Sequence, residues 1–180
     1  MKKKLVFSLV FLLLLLSFYV FYAQNKYDFA LLSQDKIVSL KDFKGEKLIV
    51  YFGYTNCPDV CPATLSLLTS ELKKQDKNPK LLFISLDIEA DKDLQKSSEW
   101  LRYFYENSVF LLAKNEDELR KISKNYGVHY EKIDMKDSAL KYTVAHSNFL
   151  FLFDENSNFL GKISNLSQNN LKKELSEFLR

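Results

Sequence analysis

Two cysteines, two histidines, three prolines and four glycines are all that this chain of 180 residues contains of those types. So little proline and glycine, with no serine-rich run, leaves no flexible linker between domains. No internal repeat is present. No cysteine precedes Cys57, so a lipid-bearing N-terminal cysteine is not expected. An excess of charge is missing too. The formal net charge is +3, and Lys2, Lys3 and Lys4 account for it; beyond them the 23 acidic side chains meet as many basic ones. No basic patch with interleaved aromatics appears, which excludes nucleic acid as a partner.

A long apolar run is present, and it comes first. Leu5 to Ala23 carries no charge and follows three lysines. As a helix it would span about 28 Å, close to a bilayer's hydrocarbon thickness. The lysines would hold the N-terminus in the cytoplasm. Phe18, Tyr19, Phe21 and Tyr22 crowd its exit, which suits an aromatic belt better than a signal-peptide cleavage site. The expectation is an uncleaved single-pass anchor in the inner (cytoplasmic) membrane. Residues 1–26 would form the anchor and a short tether, and residues 27–180 one domain facing the periplasm.

The rest is organised around one stretch, Leu48 to Pro62. An apolar run, Leu48 to Phe52, stops at Gly53, and a polar turn then carries both cysteines, Cys57 and Cys61. Pro62 opens a segment with helical spacing of Leu65, Leu68 and Leu72. The reading is strand, loop, helix, with Cys61 near the helix N-cap, where the dipole and unpaired N–H groups favour a thiolate. Three uses of such a pair compete. A structural disulfide would close a very short loop and contribute only about 2 kcal/mol. A redox dithiol resembles the C-x-x-C of thioredoxin-like enzymes, with one residue more between the sulfurs. A soft-metal site for Cu(I) or zinc needs a third ligand from elsewhere.

The run Phe52-Gly53-Tyr54-Thr55-Asn56-Cys57-Pro58-Asp59-Val60-Cys61-Pro62 resembles the signature of the Sco/SenC family, membrane-tethered thioredoxin-fold copper proteins that assist assembly of cytochrome oxidase. Leu82 to Asp87 resembles that family's second core strand with its acidic end. Tyr142-x-Val144-x-His146-Ser147 resembles the segment supplying its histidine ligand. The resemblance covers Tyr27 to Arg180 and implies Cys57, Cys61 and His146 as ligands of one copper ion per chain, Cu(I) or Cu(II). Two departures stand out. The family's Asp-Pro-x-Arg-Asp is here Asp87-Ile88-Glu89-Ala90-Asp91, and the residue before the histidine, often acidic, is Ala145.

The remaining pattern suits an α/β, thioredoxin-like fold with a central mixed sheet flanked by helices, preceded by the transmembrane helix. Leu81 to Leu86 reads as a second buried strand, parallel to the first by a right-handed crossover. Asp87 ends it, either orienting a ligand or partner or capping a helix; Asp59, between the cysteines, is a further candidate neighbour of the metal. Helices are expected over Asp93 to Glu106, Glu116 to Tyr126 (stopped by Gly127) and Leu171 to Leu179, and strands over Val109 to Leu112, Phe149 to Phe153 and Phe159 to Ile163. Val128 to Ala145 reads as extended ribbon or loop that opens easily, so that His146 stands near the thiols but short of bonding distance. His129 and Met135 read as ordinary residues of that segment. None of the prolines, Pro58, Pro62 and Pro79, lies before the late strand, where thioredoxin-like oxidoreductases place a substrate-holding proline. The implied function is delivery of copper to a respiratory oxidase subunit during assembly, with an upstream copper donor or thiol reductant as a further partner. The alternative is a thiol–disulfide oxidoreductase, with Cys57 and Cys61 as its redox disulfide, that reduces the oxidase's copper-binding cysteines. A peroxide-reducing enzyme would need an activating motif that does not stand out.

Overall fold

The computed structural model describes residue 7 and residues 10–16, 26–34, 36–135 and 141–180. Five strands form the central sheet. They are β3 (Leu48–Gly53), β4 (Lys80–Ser85), β5 (Ser108–Leu111), β8 (Leu150–Phe153) and β9 (Phe159–Ile163), in the order β5-β4-β3-β8-β9. β3 lies in the middle, parallel to β4 and antiparallel to β8. All six of its residues are buried, which is why it reads as a continuous apolar run rather than an alternating one. The short strands β1 (Leu31–Leu32) and β2 (Ile37–Val38) pair with each other. A separate antiparallel ribbon is made by β6 (Tyr130–Asp134) and β7 (Tyr142–His146).

Four helices cover the sheet: α1 (Val60–Lys74), α2 (Leu94–Phe104), α3 (Glu116–Tyr126) and α4 (Gln168–Phe178). The two faces of β3 are sorted by alternation. Tyr51 meets Phe83 edge-on at 5.5 Å, and Phe83 meets Trp100 of α2 at 5.6 Å. Phe52, on the opposite face, meets Tyr126 of α3 at 5.0 Å, and Tyr126 meets Phe151 at the same separation. Strand–helix–strand crossovers β3-α1-β4 and β4-α2-β5, joined to an antiparallel β8–β9 pair, make this a thioredoxin-like α/β fold with a mixed sheet, as the sequence pattern implies.

Caps explain where the helices begin and end. Asp93 accepts the Lys96 N–H and Asn115 the Glu118 N–H. Gly127 ends α3 in the left-handed conformation, φ +67°. One boundary differs from expectation. α1 starts at Val60, not at Pro62, because Asp59 is its N-cap and Pro62 fits within the first turn, where no N–H is required.

Most of the expected membrane segment falls outside the described residues. Residues 10–16 of it are helical, with exposed apolar side chains. Among the described residues no helix is long and apolar enough to cross a membrane.

Gly53 ends β3 under the first turn of α1. A Cβ there would lie 2.8 Å from Phe83 Cζ and 2.9 Å from Cys61 Sγ, so the thiol turn rests on bare backbone. Gly53→Ala is expected to cost about 1–3 kcal/mol through this overpacking, read as a lowered urea midpoint.

Candidate metal centre

Both thiols are free. Cys61 is buried and Cys57 half-buried. The helix begins between them, and this separates their roles. Cys57 lies just before the first turn, and its Sγ accepts the Cys61 backbone N–H at 3.3 Å. Thus Cys57, not Cys61, occupies the anion-stabilising helix end. Its thiol is held well below the ordinary range by a hydrogen bond from the Cys61 thiol, against the opposing effect of burial, with further help from His146 and the backbone N–H groups of Cys61 and Asp59. The partner Cys61 is pushed up, first by its bond to Cys57 and then by burial. The expectation of an easier thiolate at Cys61 is therefore reversed: the half-buried Cys57 favours the thiolate and the buried Cys61 the thiol.

His146 arrives from the end of β7. Its Nδ1 lies 3.0 Å from the Ser147 carbonyl oxygen, which can only accept, so Nδ1 carries a hydrogen and Nε2 is the nitrogen turned to the thiols. That Nε2 stands 3.7 Å from Cys61 Sγ. Bonds of about 2.3 Å to sulfur and 2.0 Å to imidazole nitrogen would place two ligand atoms about 3.5–3.7 Å apart at angles of roughly 110–120°. The sulfur and nitrogen thus already stand at the separation that a shared metal needs. Among the described residues no three His, Cys, Asp or Glu side chains form a finished metal cage.

The two strands of the ribbon that carries His146 are tied to the domain, where an easily opened segment was expected; residues 136–140 of that segment lie outside the described residues. Asp87 is fully buried and accepts from Lys132 Nζ of β6 at 2.7 Å and from Tyr142 hydroxyl of β7 at 2.5 Å. Tyr54, in the thiol turn, shares a 3.0 Å hydrogen bond with Thr143 Oγ1 and accepts the Val144 N–H at 3.3 Å. Its ring meets the His146 ring edge-on at 6.3 Å. Asp91 holds the same turn from below, taking Ser85 hydroxyl at 2.6 Å and the Thr55 hydroxyl and N–H; burial raises this carboxyl above its usual range while these bonds oppose the rise.

The sequence-derived residues thus divide. Cys57, Cys61 and His146 converge. Asp87 touches neither thiol; it ties the ribbon, while Asp93 caps the helix. Asp59 contributes its backbone N–H to Cys57, and its side chain makes no cap bond. His129 is exposed at the start of the ribbon, its N–H bonded to Ser147 hydroxyl. The residues that sequence reasoning passed over are Tyr54, Asp91, Lys132 and Tyr142. The aromatic hydroxyls at 54 and 142, inside the two segments that carry the candidate ligands, were the available signal.

Fold and site together define a thioredoxin-like protein in which a C-x-x-x-C pair at a helix mouth faces an imidazole. The family model described as SCO1/SenC matches residues 21–179, and the chain belongs to that family. It is 31% identical over 157 residues to an SCO2-like protein of Rickettsia conorii, covering 85% of this chain and 74% of that one. It is 32% identical over 138 residues to the mitochondrial SCO2 homolog of Mus musculus, covering 73% and 53%. Among solved structures, Arabidopsis thaliana ScoI with copper bound superposes with a TM-score of 0.72 at 28% identity, covering 84% of this chain and 98% of that one. Yeast Sco1 with copper bound gives 0.68 at 27% identity, covering 83% and 85%.

The thiol asymmetry has a direct readout. Cys57 keeps its thiolate as pH falls below the ordinary thiol range, whereas Cys61 stays protonated as pH rises through it. Iodoacetamide followed by peptide mass mapping is expected to label Cys57 first, with a rate that stays high at pH 6, and to leave Cys61 nearly unlabelled at pH 8. Equal labelling would contradict the arrangement.

Proposed function

We propose that this protein binds one copper ion through Cys57, Cys61 and His146 and delivers it to a respiratory cytochrome oxidase during assembly. The observation that carries the reading is the 3.7 Å approach of His146 Nε2 to Cys61 Sγ, with Nδ1 tied to Ser147. Two thiolates and one neutral imidazole form a soft donor set that suits Cu(I). Copper-bound structures of family members at 27–28% identity support the metal. The segment Leu5 to Ala23 serves as the membrane anchor and places the domain on the periplasmic side. Transfer proceeds by ligand exchange with an oxidase subunit, and an upstream copper donor loads the site. No turnover chemistry is required.

Loading depends on the thiols being reduced, since a Cys57–Cys61 disulfide removes two ligands together. Purified under reducing conditions, the chain is expected to take up one Cu(I) with two free thiols. His146→Ala is expected to weaken Cu(I) by more than the roughly 10–100-fold typical of losing an outer partner of a metal ligand, with His129→Ala close to wild type. Competition with a Cu(I) chelator measures both. Copper X-ray absorption showing only sulfur ligands would remove His146 from the site.

A second reading, thiol–disulfide oxidoreductase, is favoured by the asymmetric pair. The Cys57 thiolate would attack a partner disulfide, releasing one partner thiolate and leaving a mixed disulfide. Cys61 would then displace the second, ending as a Cys57–Cys61 disulfide with two partner thiols. Fast reduction of a disulfide substrate that persists in His146→Ala and without copper would favour this reading.

The anchor has its own check. Mass spectrometry of the native protein is expected to find the N-terminal lysines present; a mature terminus near Gln24 would make Leu5 to Ala23 a signal peptide.

A further inference from the structure

Tyr51 lies within β3, wholly buried, and its hydroxyl makes no hydrogen bond. Buried tyrosine hydroxyls ordinarily find a partner, because an unmade bond leaves the lost hydration uncompensated. The ring needs no hydroxyl to be held: it packs edge-on against Phe83.

What surrounds the hydroxyl can be read from the strand. Tyr51 and Gly53 share a face, and the Gly53 position lies directly beneath Cys61 Sγ. The face carrying Tyr51 is therefore the one that the first turn of α1 covers. The side chains of that turn that act on the phenol are Cys61 and Thr64. Thr64 Oγ1 accepts Asn148 Nδ2–H at 3.2 Å, which leaves the threonine's own hydroxyl hydrogen available to Tyr51. Asn148 stands two residues beyond His146. The histidine segment thus reaches Thr64 through Asn148, and Thr64 and the buried sulfur both lie beside the phenol.

We propose that Tyr51 is a positioning residue of the metal site, its hydroxyl donating to the Cys61 sulfur when that sulfur ligates a metal, with Thr64 turning the hydroxyl toward it. Neutral thiols are weak acceptors, whereas an anionic sulfur accepts strongly. In the metal-free reduced protein the hydroxyl makes no hydrogen bond. In the loaded protein it has one. Tyr51 therefore favours the loaded form over the thiol form without being a ligand. This rests on the reading of Cys57, Cys61 and His146 as a soft-metal site.

The test compares the full chain and Tyr51→Phe side by side in dodecyl maltoside micelles. Cu(I) affinity is measured by anaerobic competition with bicinchoninate, the Cys57–Cys61 midpoint in glutathione buffers, and the melting temperature on the metal-free reduced protein. Loss of one hydrogen bond to a charged group is expected to weaken Cu(I) about ten-fold or more. The metal-free melting temperature is expected to stay level or rise, and the disulfide midpoint to stay in place. Thr64→Val is expected to weaken Cu(I) by less. Equal Cu(I) affinity in Tyr51→Phe and wild type overturns the proposal alone. A lowered metal-free melting temperature or a displaced midpoint marks a packing role and also overturns it. Failure of the wild type to bind Cu(I) overturns the metal-site reading and this inference together.

Discussion

The buried carboxylate of Asp87 is what the candidate site depends on. The two halves of that site lie 85 residues apart in sequence, Cys61 at a helix mouth and His146 at the end of a ribbon. The ribbon has little apolar surface of its own to bury; four of the five β6 residues are exposed. Hydrophobic packing reaches it through Val144, with Tyr130 and Tyr142 against the core, and leaves most of β6 unheld. A carboxylate removed from water is costly unless charged and hydrogen-bonded partners surround it. Asp87 meets that demand by drawing in Lys132 from one strand of the ribbon and Tyr142 from the other. Tyr54 adds a second tie nearer the thiols. Such polar ties are directional, so they set where His146 stands as well as how strongly its ribbon is held.

The thiol side is set by a different constraint, the point at which α1 begins. Starting the helix at Val60 places Cys61 inside the first turn, against Gly53, and leaves Cys57 outside it. The first is packed and the second faces the orphan N–H groups. Five residues of turn thereby turn two identical side chains into unlike groups. The arrangement is compatible with nucleophilic chemistry at Cys57 and with ligation by both sulfurs, so the dithiol alone does not choose between a reductase and a carrier. The imidazole opposite is what weighs toward a carrier.

The frame was legible in sequence wherever burial wrote a period. β3 and β4 are buried along nearly their whole length, so each reads as an apolar run. α3 carries apolar residues at helical spacing and a glycine stop, and was placed at its observed bounds, Glu116–Tyr126. The candidate ligands were legible only because the residues around them resemble a family signature; spacing alone left disulfide, redox pair and metal site open. The ribbon was harder. Its strands pair with each other and present charges outward, so no hydrophobic period announces them, and its looseness was inferred from that polarity. Asp87, buried just beyond the C-terminal end of β4, is what reverses the inference, and a lone acid after a strand carries no mark of what will come to meet it. Tyr51 was hidden for the opposite reason: in an all-buried strand a tyrosine looks like any other aromatic, and only the missing partner of its hydroxyl sets it apart.

A carrier must hold its metal and also let it go, and the geometry suggests where exchange starts. His146 is held by Ser147 through its other nitrogen and by a pinned ribbon. Cys61 is buried against Gly53 and Tyr51. Neither can leave without disturbing packed or hydrogen-bonded neighbours. Cys57 is half-exposed on a turn, beside exposed Pro58, Asp59 and Val60. It is also the thiol whose anionic form the helix end stabilises without any metal. If these three residues are the ligands, a departing Cys57 sulfur would keep a favourable place, accepting the Cys61 N–H, while Cys61 and His146 held the ion. On the carrier reading, an incoming partner thiolate replaces Cys57 first, from the open side. Cys61, buried, and His146, half-buried, would then determine how long the ion stays.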